Sequence, residues 1–138
     1  MSISILTVPP LEELAKKDSS QAFKTWEHLY HLGKITNPKF AAIALVSYAY
    51  AAYDSYSHTA PWAGFLGAGA LTIALAPWTL TAMRGTNEEL HKAACGVSKD
   101  MGAEKARSLF QEWGRLNFVR GIFPLAGAGV GMWALLGT

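Results

Sequence analysis

Three polar residues lie beside apolar stretches of this 138-residue chain and can donate hydrogen bonds to one ligand. Asn117 and Arg120 come just before an uncharged segment, residues 121–138, and Asn87 follows another apolar segment by a few residues. Amide and guanidinium groups that face an apolar cavity can hold an anionic or phenolic ligand. Arg120 also has a simpler interpretation, because a charged side chain near lipid headgroups can extend to water at little cost.

Histidines supply a second kind of chemistry, and His28 and His31 lie close to Glu27 in the sequence. Adjacent residues diverge by about 100° on a helix, so this segment does not predict a facial metal triad. The chain has no HExxH motif, and its single cysteine, Cys95, excludes an internal disulfide. It also lacks a dinucleotide fingerprint, a P-loop and a nucleophile elbow. We therefore expect no metal site.

The elements that must position these groups are long and apolar. Residues 61–83 contain no charged side chain, and about 20 helical residues cross a hydrocarbon core of about 30 Å. Residues 38–56 and 118–138 are predicted as further spans, the first with Asn37 as N-cap and Pro38 at the first helical position. The sequence predicts an all-α, multi-pass integral membrane bundle with three transmembrane helices in a single domain, residues 1–138.

The N-terminal residues predict a different kind of element. The apolar segment of residues 2–8 is too short to span, and we expect Pro9 and Pro10 to end it. Residues 11–33 then form a polar helix with an aromatic stripe, which indicates an interfacial amphipathic helix.

The region between the second and third spans is predicted to divide in two. Residues 84–102 are expected to form a loop, and an amphipathic helix is expected to begin near Ala103 and continue into the last span. On that helix Trp113, Asn117 and Arg120 share one face.

Basic residues indicate the orientation of the bundle. All 12 Lys and Arg residues lie in residues 1–39 and 84–120, on one side of the three predicted spans, and that side is expected to be cytoplasmic. The net charge is only +2, so the basic residues give no reason to expect a nucleic-acid partner.

Three ordered blocks carry a family resemblance: WEHLYHLGKITNP (residues 26–38), PWTLTAMRGTNEEL (residues 77–90) and WGRLNFVRGIFPLAG (residues 113–127). Together they resemble the fungal anthrone oxygenases, which are small membrane proteins, and they cover most of the chain in the correct order. Family members typically have four membrane helices, and the block SISILTVPPLEEL corresponds to the end of the first. The resemblance implies that nearly all of that helix is missing, so we expect an upstream start or a shortened form.

The resemblance implies oxidation of a polyketide anthrone to the anthraquinone by molecular oxygen, with no metal or organic cofactor. An anthrone tautomerises to an electron-rich anthranol, whose anion can pass an electron to oxygen, recombine to a hydroperoxide and lose water. The protein must bind a flat, phenolic tricycle, remove a proton, and stabilise the anion and the peroxide with preorganised donors.

Candidate residues are available for each of these tasks. His28 or His31 is the predicted proton acceptor, because imidazoles generally exchange protons near neutral pH, and Tyr30 is an alternative proton relay. The candidate donors to the enolate or peroxide oxygens are Asn87, Asn117 and Arg120, and the candidate walls for the substrate rings are Trp26, Trp78 and Trp113.

Other function classes stay open. A non-catalytic membrane subunit, or scaffold for a biosynthetic partner, would use the same small-residue helices and interfacial aromatic residues. Gly127 and Gly131 form a small-xxx-small pair, which is typical of close helix packing within a chain or in a homo-oligomer. A transporter or channel is less well supported, because no predicted span carries an ionisable residue near its middle.

Overall fold

A computed structural model describes residues 3–96 and 102–137 of the chain. In these ranges the chain forms five α-helices: α1 (Ile3–Lys17), α2 (Ser19–Ser57), α3 (Ala63–Thr81), α4 (Arg84–Ala94) and α5 (Ala103–Leu136). The prediction of an all-α fold is confirmed for this part of the chain.

The start of the chain differs from its prediction. Pro9 and Pro10 lie inside α1, so the prediction that they end the N-terminal segment is wrong. A proline removes a helical N–H donor, but burial of the following turn compensates here, since Leu11 and Ala15 are each only 2% exposed. The helix ends at Lys17, and the Asp18 carboxylate accepts a hydrogen bond from the Gln21 backbone N–H at 3.1 Å, which caps α2.

Helix α2 also passes through a predicted boundary. It is continuous from Ser19 to Ser57 and contains Pro38, so the prediction that a separate helix begins at Asn37 is wrong. Pro38 removes one backbone hydrogen bond from the helix. The residues on both sides of it favour a helix strongly enough to keep the chain helical through the proline.

Residues 84–94 form α4, so the prediction of a loop is wrong for this part of residues 84–102, and residues 97–101 lie outside the described residues. The buried residues of α4, Thr86, Asn87, Leu90 and Ala93, recur at helical spacing. The helix ends where Gly96 adopts a φ of +75°, a conformation that favours glycine, and the Gly96 N–H donates to the Ala93 carbonyl at 3.1 Å.

Two helices in the described ranges, α3 and α5, are long and apolar enough to cross a membrane. They contain most of the predicted spans of residues 61–83 and 118–138, and α5 begins at Ala103 as predicted. The predicted span of residues 38–56 lies in α2, which is not apolar enough to join them, since four tyrosines and Asp54 lower its mean hydropathy.

The helices form two compact units. Unit 1 comprises residues 1–34 and 79–119, and unit 2 comprises residues 35–78 and 120–138. Of the charged residues, only Lys39, Asp54 and Arg120 belong to unit 2. The charged residues are therefore concentrated in unit 1, whereas unit 2 is almost uncharged.

Close helix packing in unit 2 depends on glycine. A Cβ at Gly127 would lie 2.9 Å from the Ala68 carbonyl oxygen and 3.2 Å from Thr72 Oγ1. A Cβ at Gly131 would lie 2.8 Å from the Tyr48 ring. These contacts support the interpretation of this small-residue pair as a packing surface within the chain.

We expect Gly127→Ala to destabilise the protein, because the new methyl group overlaps a backbone oxygen on α3 and overpacking costs about 1–3 kcal/mol. Gly129→Ala is the matched control, since a Cβ there meets nothing within 4 Å. Thermal unfolding of both variants in detergent checks this expectation. Equal midpoints for the two variants would show that the close approach at Gly127 is not needed.

Candidate active site

An aromatic cluster surrounds Trp26 in the core of unit 1. The Trp26 side chain is fully buried. Its ring centroid lies 5.1 Å from that of Tyr30 in a stacked arrangement. The rings of His91 and Trp113 approach it edge-on, with centroids at 5.0 and 6.0 Å. Trp26 therefore connects residues from α2, α4 and α5.

Each of these three helices contributes two candidate side chains at a spacing of four residues, which places both on one helix face. The pairs are Trp26 and Tyr30 on α2, Asn87 and His91 on α4, and Trp113 and Asn117 on α5. Five of these six were predicted as site residues from the sequence, and all six belong to unit 1.

Buried polar atoms distinguish this cluster from an ordinary core. Asn87 and Asn117 are each only 7% exposed. The Asn117 amide Nδ2 donates to the Trp113 carbonyl at 3.2 Å. In the described part of the chain, three buried side-chain atoms have no hydrogen-bond partner: Trp26 Nε1, Trp113 Nε1 and Asn87 Oδ1. An unsatisfied buried polar group costs about 1–3 kcal/mol, so two indole donors and one amide acceptor in this unit are candidates for contact with a ligand.

A carboxylate lies beside the imidazole at the edge of the cluster. His91 Nδ1 is 3.6 Å from Glu27 Oε1, and both side chains are about 40% exposed. The Tyr30 ring stands nearly perpendicular to the imidazole, with centroids 4.8 Å apart. His91 was missed in the sequence because residues 84–102 were interpreted as a loop. Its spacing of four residues from Asn87 was the signal that could have identified it.

The two histidines that were predicted from the sequence lie elsewhere on α2. His28 and His31 are both exposed. Relative to Trp26 they are turned by about 200° and 140° around the helix, whereas Tyr30 is turned by only about 40°. The structure therefore does not bring either histidine into the aromatic cluster, and their role as proton acceptor stays a prediction.

Trp78 and Arg120 belong to unit 2. The Trp78 ring packs against Phe123, with centroids 5.8 Å apart. Arg120 is half-buried and follows Asn117 by three residues in α5. Their roles as ring wall and oxyanion donor stay predictions.

Two ion pairs lie at the surface of unit 1. Arg107 Nε on α5 is 3.1 Å from Glu12 Oε2 on α1. Arg84 Nε donates to Glu88 Oε1 at 2.8 Å within α4, and this hydrogen bond lowers the pKa of the Glu88 carboxyl. Both arginines are exposed, and ion pairs at exposed positions generally contribute little to stability. Among the described residues, no three His, Cys, Asp or Glu side chains are grouped to hold a metal ion.

Comparison with known proteins identifies the family. Residues 26–130 match the family model described as anthrone oxygenase. The chain belongs to the anthrone oxygenase family. The matched range begins at Trp26 and contains all six residues of the three helical pairs. The family resemblance inferred from the three sequence blocks is confirmed.

Individual relatives align with almost the whole chain. It is 33% identical to monooxygenase hypC of Dothistroma septosporum, over 96% of this chain and 72% of the relative. It is 31% identical to noranthrone monooxygenase of Aspergillus flavus, over 100% of this chain and 67% of the relative. It is 35% identical to anthrone oxygenase AgnL2 of Paecilomyces divaricatus, over 95% of this chain and 82% of the relative. No solved structure matches the chain significantly.

Proposed function

We propose that this protein is an anthrone oxygenase, a monooxygenase that converts a polyketide anthrone to the anthraquinone with molecular oxygen in secondary metabolism. Membership of the family and the names of the aligned relatives support this activity. The structural observation that carries the proposal is the set of buried, unpartnered polar atoms in the unit that holds the aromatic cluster: Trp26 Nε1, Trp113 Nε1 and Asn87 Oδ1.

These atoms are complementary to the functional groups of an anthrone. The substrate is a flat tricycle, which packs well against indole rings. Its carbonyl oxygen accepts hydrogen bonds, as the two indole N–H groups require, and its phenol hydroxyls donate, as Asn87 Oδ1 requires. Asn117 remains our candidate for a further donor, and the role of Arg120 stays a prediction. Such donors would stabilise the enolate oxygen more strongly than the ground-state carbonyl, which accelerates proton removal.

The overall reaction is a four-electron oxidation of the methylene carbon. Loss of one methylene proton gives an anthranol anion, which transfers an electron to oxygen and recombines to form a C–O bond. The peroxide takes up a proton. Loss of the second methylene proton, with cleavage of the O–O bond, leaves one oxygen atom in the quinone carbonyl and releases the other as water.

We propose that this reaction needs no metal or organic cofactor, because the anthranol anion is itself electron-rich enough to reduce oxygen. The task left to the protein is proton transfer and anion stabilisation. Metal analysis of active protein, together with turnover after dialysis against a chelator, tests this part of the proposal. Turnover that is lost with the chelator and restored by a metal ion would overturn it.

We further propose that the protein is a multi-pass membrane protein with three spans, residues 38–56, 61–83 and 118–138, and cytoplasmic basic regions. Only 22% of the apolar window of α3, and 17% of that of α5, is buried within the protein. Core helices of soluble proteins are mostly buried, so this exposed apolar surface suits lipid. On the predicted span of residues 38–56, Phe40, Ile43 and Val46 are each more than 60% exposed. The protein should stay with membranes in alkaline carbonate, and release into the supernatant would contradict this topology.

The activity can be tested directly. Purified protein in detergent, supplied with a dihydroxyanthrone and oxygen, should form quinone faster than the spontaneous background and faster than heat-denatured protein. With isotopically labelled oxygen gas, one labelled atom should appear in each quinone molecule. A rate equal to background with every anthrone supplied would instead favour the alternative of a non-catalytic subunit or scaffold.

A further inference from the structure

We propose that His91 is the catalytic proton acceptor and that Glu27 positions it. This inference rests on the proposed oxygenase activity and assigns the base for that reaction. The candidate hydrogen-bond donors and aromatic walls keep their proposed roles. Only the proton acceptor differs, because the sequence predicted His28 or His31 for that role.

The position of His91 is the first argument. Its ring contacts both Trp26 and Tyr30, with centroids at 5.0 and 4.8 Å. It also lies one helical turn after Asn87, whose buried Oδ1 has no partner among the described residues. The imidazole therefore lies beside the aromatic rings and on the helix that carry the unpartnered polar atoms. His28 and His31 are exposed on other faces of α2.

The orientation of the ring is the second argument. His91 Nδ1 faces the Glu27 carboxylate at 3.6 Å. A carboxylate on this side favours the tautomer that carries its proton on Nδ1, which leaves the lone pair of Nε2 to accept a proton. The negative charge of Glu27 would also stabilise the imidazolium as it forms.

The partial exposure of the pair is the third argument. His91 and Glu27 are 39% and 42% exposed, so the imidazole lies between the buried aromatic rings and water. A base at this position can exchange protons with a substrate on the buried side, and imidazole added to the solvent can reach it from the other side.

The proton and electron changes follow from this placement. His91 Nε2 takes one methylene proton, the C–H bonding pair moves into the enolate, and Nε2 becomes N–H. After the anion has reduced oxygen and the C–O bond has formed, the imidazolium returns that proton to the peroxide. His91 then removes the second methylene proton while the O–O bond breaks, and the hydroxide that leaves takes this proton to give water.

His91→Ala should lower kcat for quinone formation by about 10²–10⁴-fold, the usual range for loss of a general base. Imidazole added to the assay should restore part of the rate, which a purely structural role would not predict. The matched control is His58→Ala, because His58 is an exposed histidine whose Nδ1 is 3.7 Å from the carboxylate of Asp54. It should retain the wild-type rate with and without imidazole.

Glu27→Gln tests the positioning role. We expect a decrease in kcat with little change in KM, because Glu27 acts through His91 and does not bind the substrate. When combined with His91→Ala, the same change should cause no further loss, since the two residues act as one unit. Additive losses would show that Glu27 acts independently of His91.

The outcomes separate this inference from the proposed function. An inactive wild-type protein would overturn the oxygenase proposal. If the wild-type protein is active and the His91→Ala variant is unimpaired, only the assignment of His91 is overturned. The same holds if the loss of activity is found in a His28→Ala/His31→Ala double variant instead. His91→Gln keeps the side-chain volume if the alanine variant does not fold, and quenching of tryptophan fluorescence by the anthrone reports binding in each variant.

Discussion

Trp26→Ala is expected to lower the free energy of unfolding by about 3–5 kcal/mol, the range found when a buried large aromatic residue is truncated. Trp26 is fully buried, and its ring contacts Tyr30, His91 and Trp113. Removal of the indole would leave a cavity where α2, α4 and α5 meet in unit 1. Because typical domains are stable by only about 5–15 kcal/mol, this single change should remove a large share of the stability of unit 1.

Circular dichroism melting in detergent measures this effect, with Trp26→Phe as the informative control. Phenylalanine keeps most of the packing and removes the indole N–H, which has no partner among the described residues. The phenylalanine variant should therefore lose little stability while it oxidises the anthrone more slowly. A Trp26→Ala variant that melts like the wild type would show that the cluster is not the core of this unit.

The apolar helices could be predicted because their signal is local. A run such as residues 61–83 specifies a helix by its own composition, and the structure places α3 within it. The same holds for α5, where Trp113 and Asn117 were recognised on one face. Helix boundaries at prolines were predicted wrongly, since tertiary packing around Leu11 and Ala15 outweighed the local effect of Pro9 and Pro10.

The site was only partly predictable, because its decisive contacts join residues far apart in the chain. Glu27 has two histidines close by in sequence, but the one beside its carboxylate in the structure is His91. Local spacing indicates which side chains share a helix face, and it cannot show which helices pack together. Asn87 and Trp113 were predicted because an amide and a large aromatic side chain lie within the sequence blocks that carry the family resemblance. His91 could be identified only if residues 84–94 were recognised as helix α4.

Asn87→Leu should separate stability from activity more clearly than any other change in the site. Leucine has the same number and branching of side-chain heavy atoms as asparagine, and it removes a buried Oδ1 that has no partner in the described part of the chain. A buried acceptor without a partner costs about 1–3 kcal/mol of stability. Its removal should therefore leave the melting temperature unchanged or raise it. Quinone formation should slow by about 10²-fold or more, as when one preorganised hydrogen-bonding group is removed from an active site.

Stability and activity should change in opposite directions, because a polar group without a partner in the free protein gains one only when substrate is bound. Asn37→Leu is the matched control, because Asn37 lies in α2 outside the aromatic cluster, and it should retain activity. Melting curves and steady-state rates from one preparation of each variant give both quantities. If stability and rate fall together in Asn87→Leu, the amide supports the fold and does not contact the substrate.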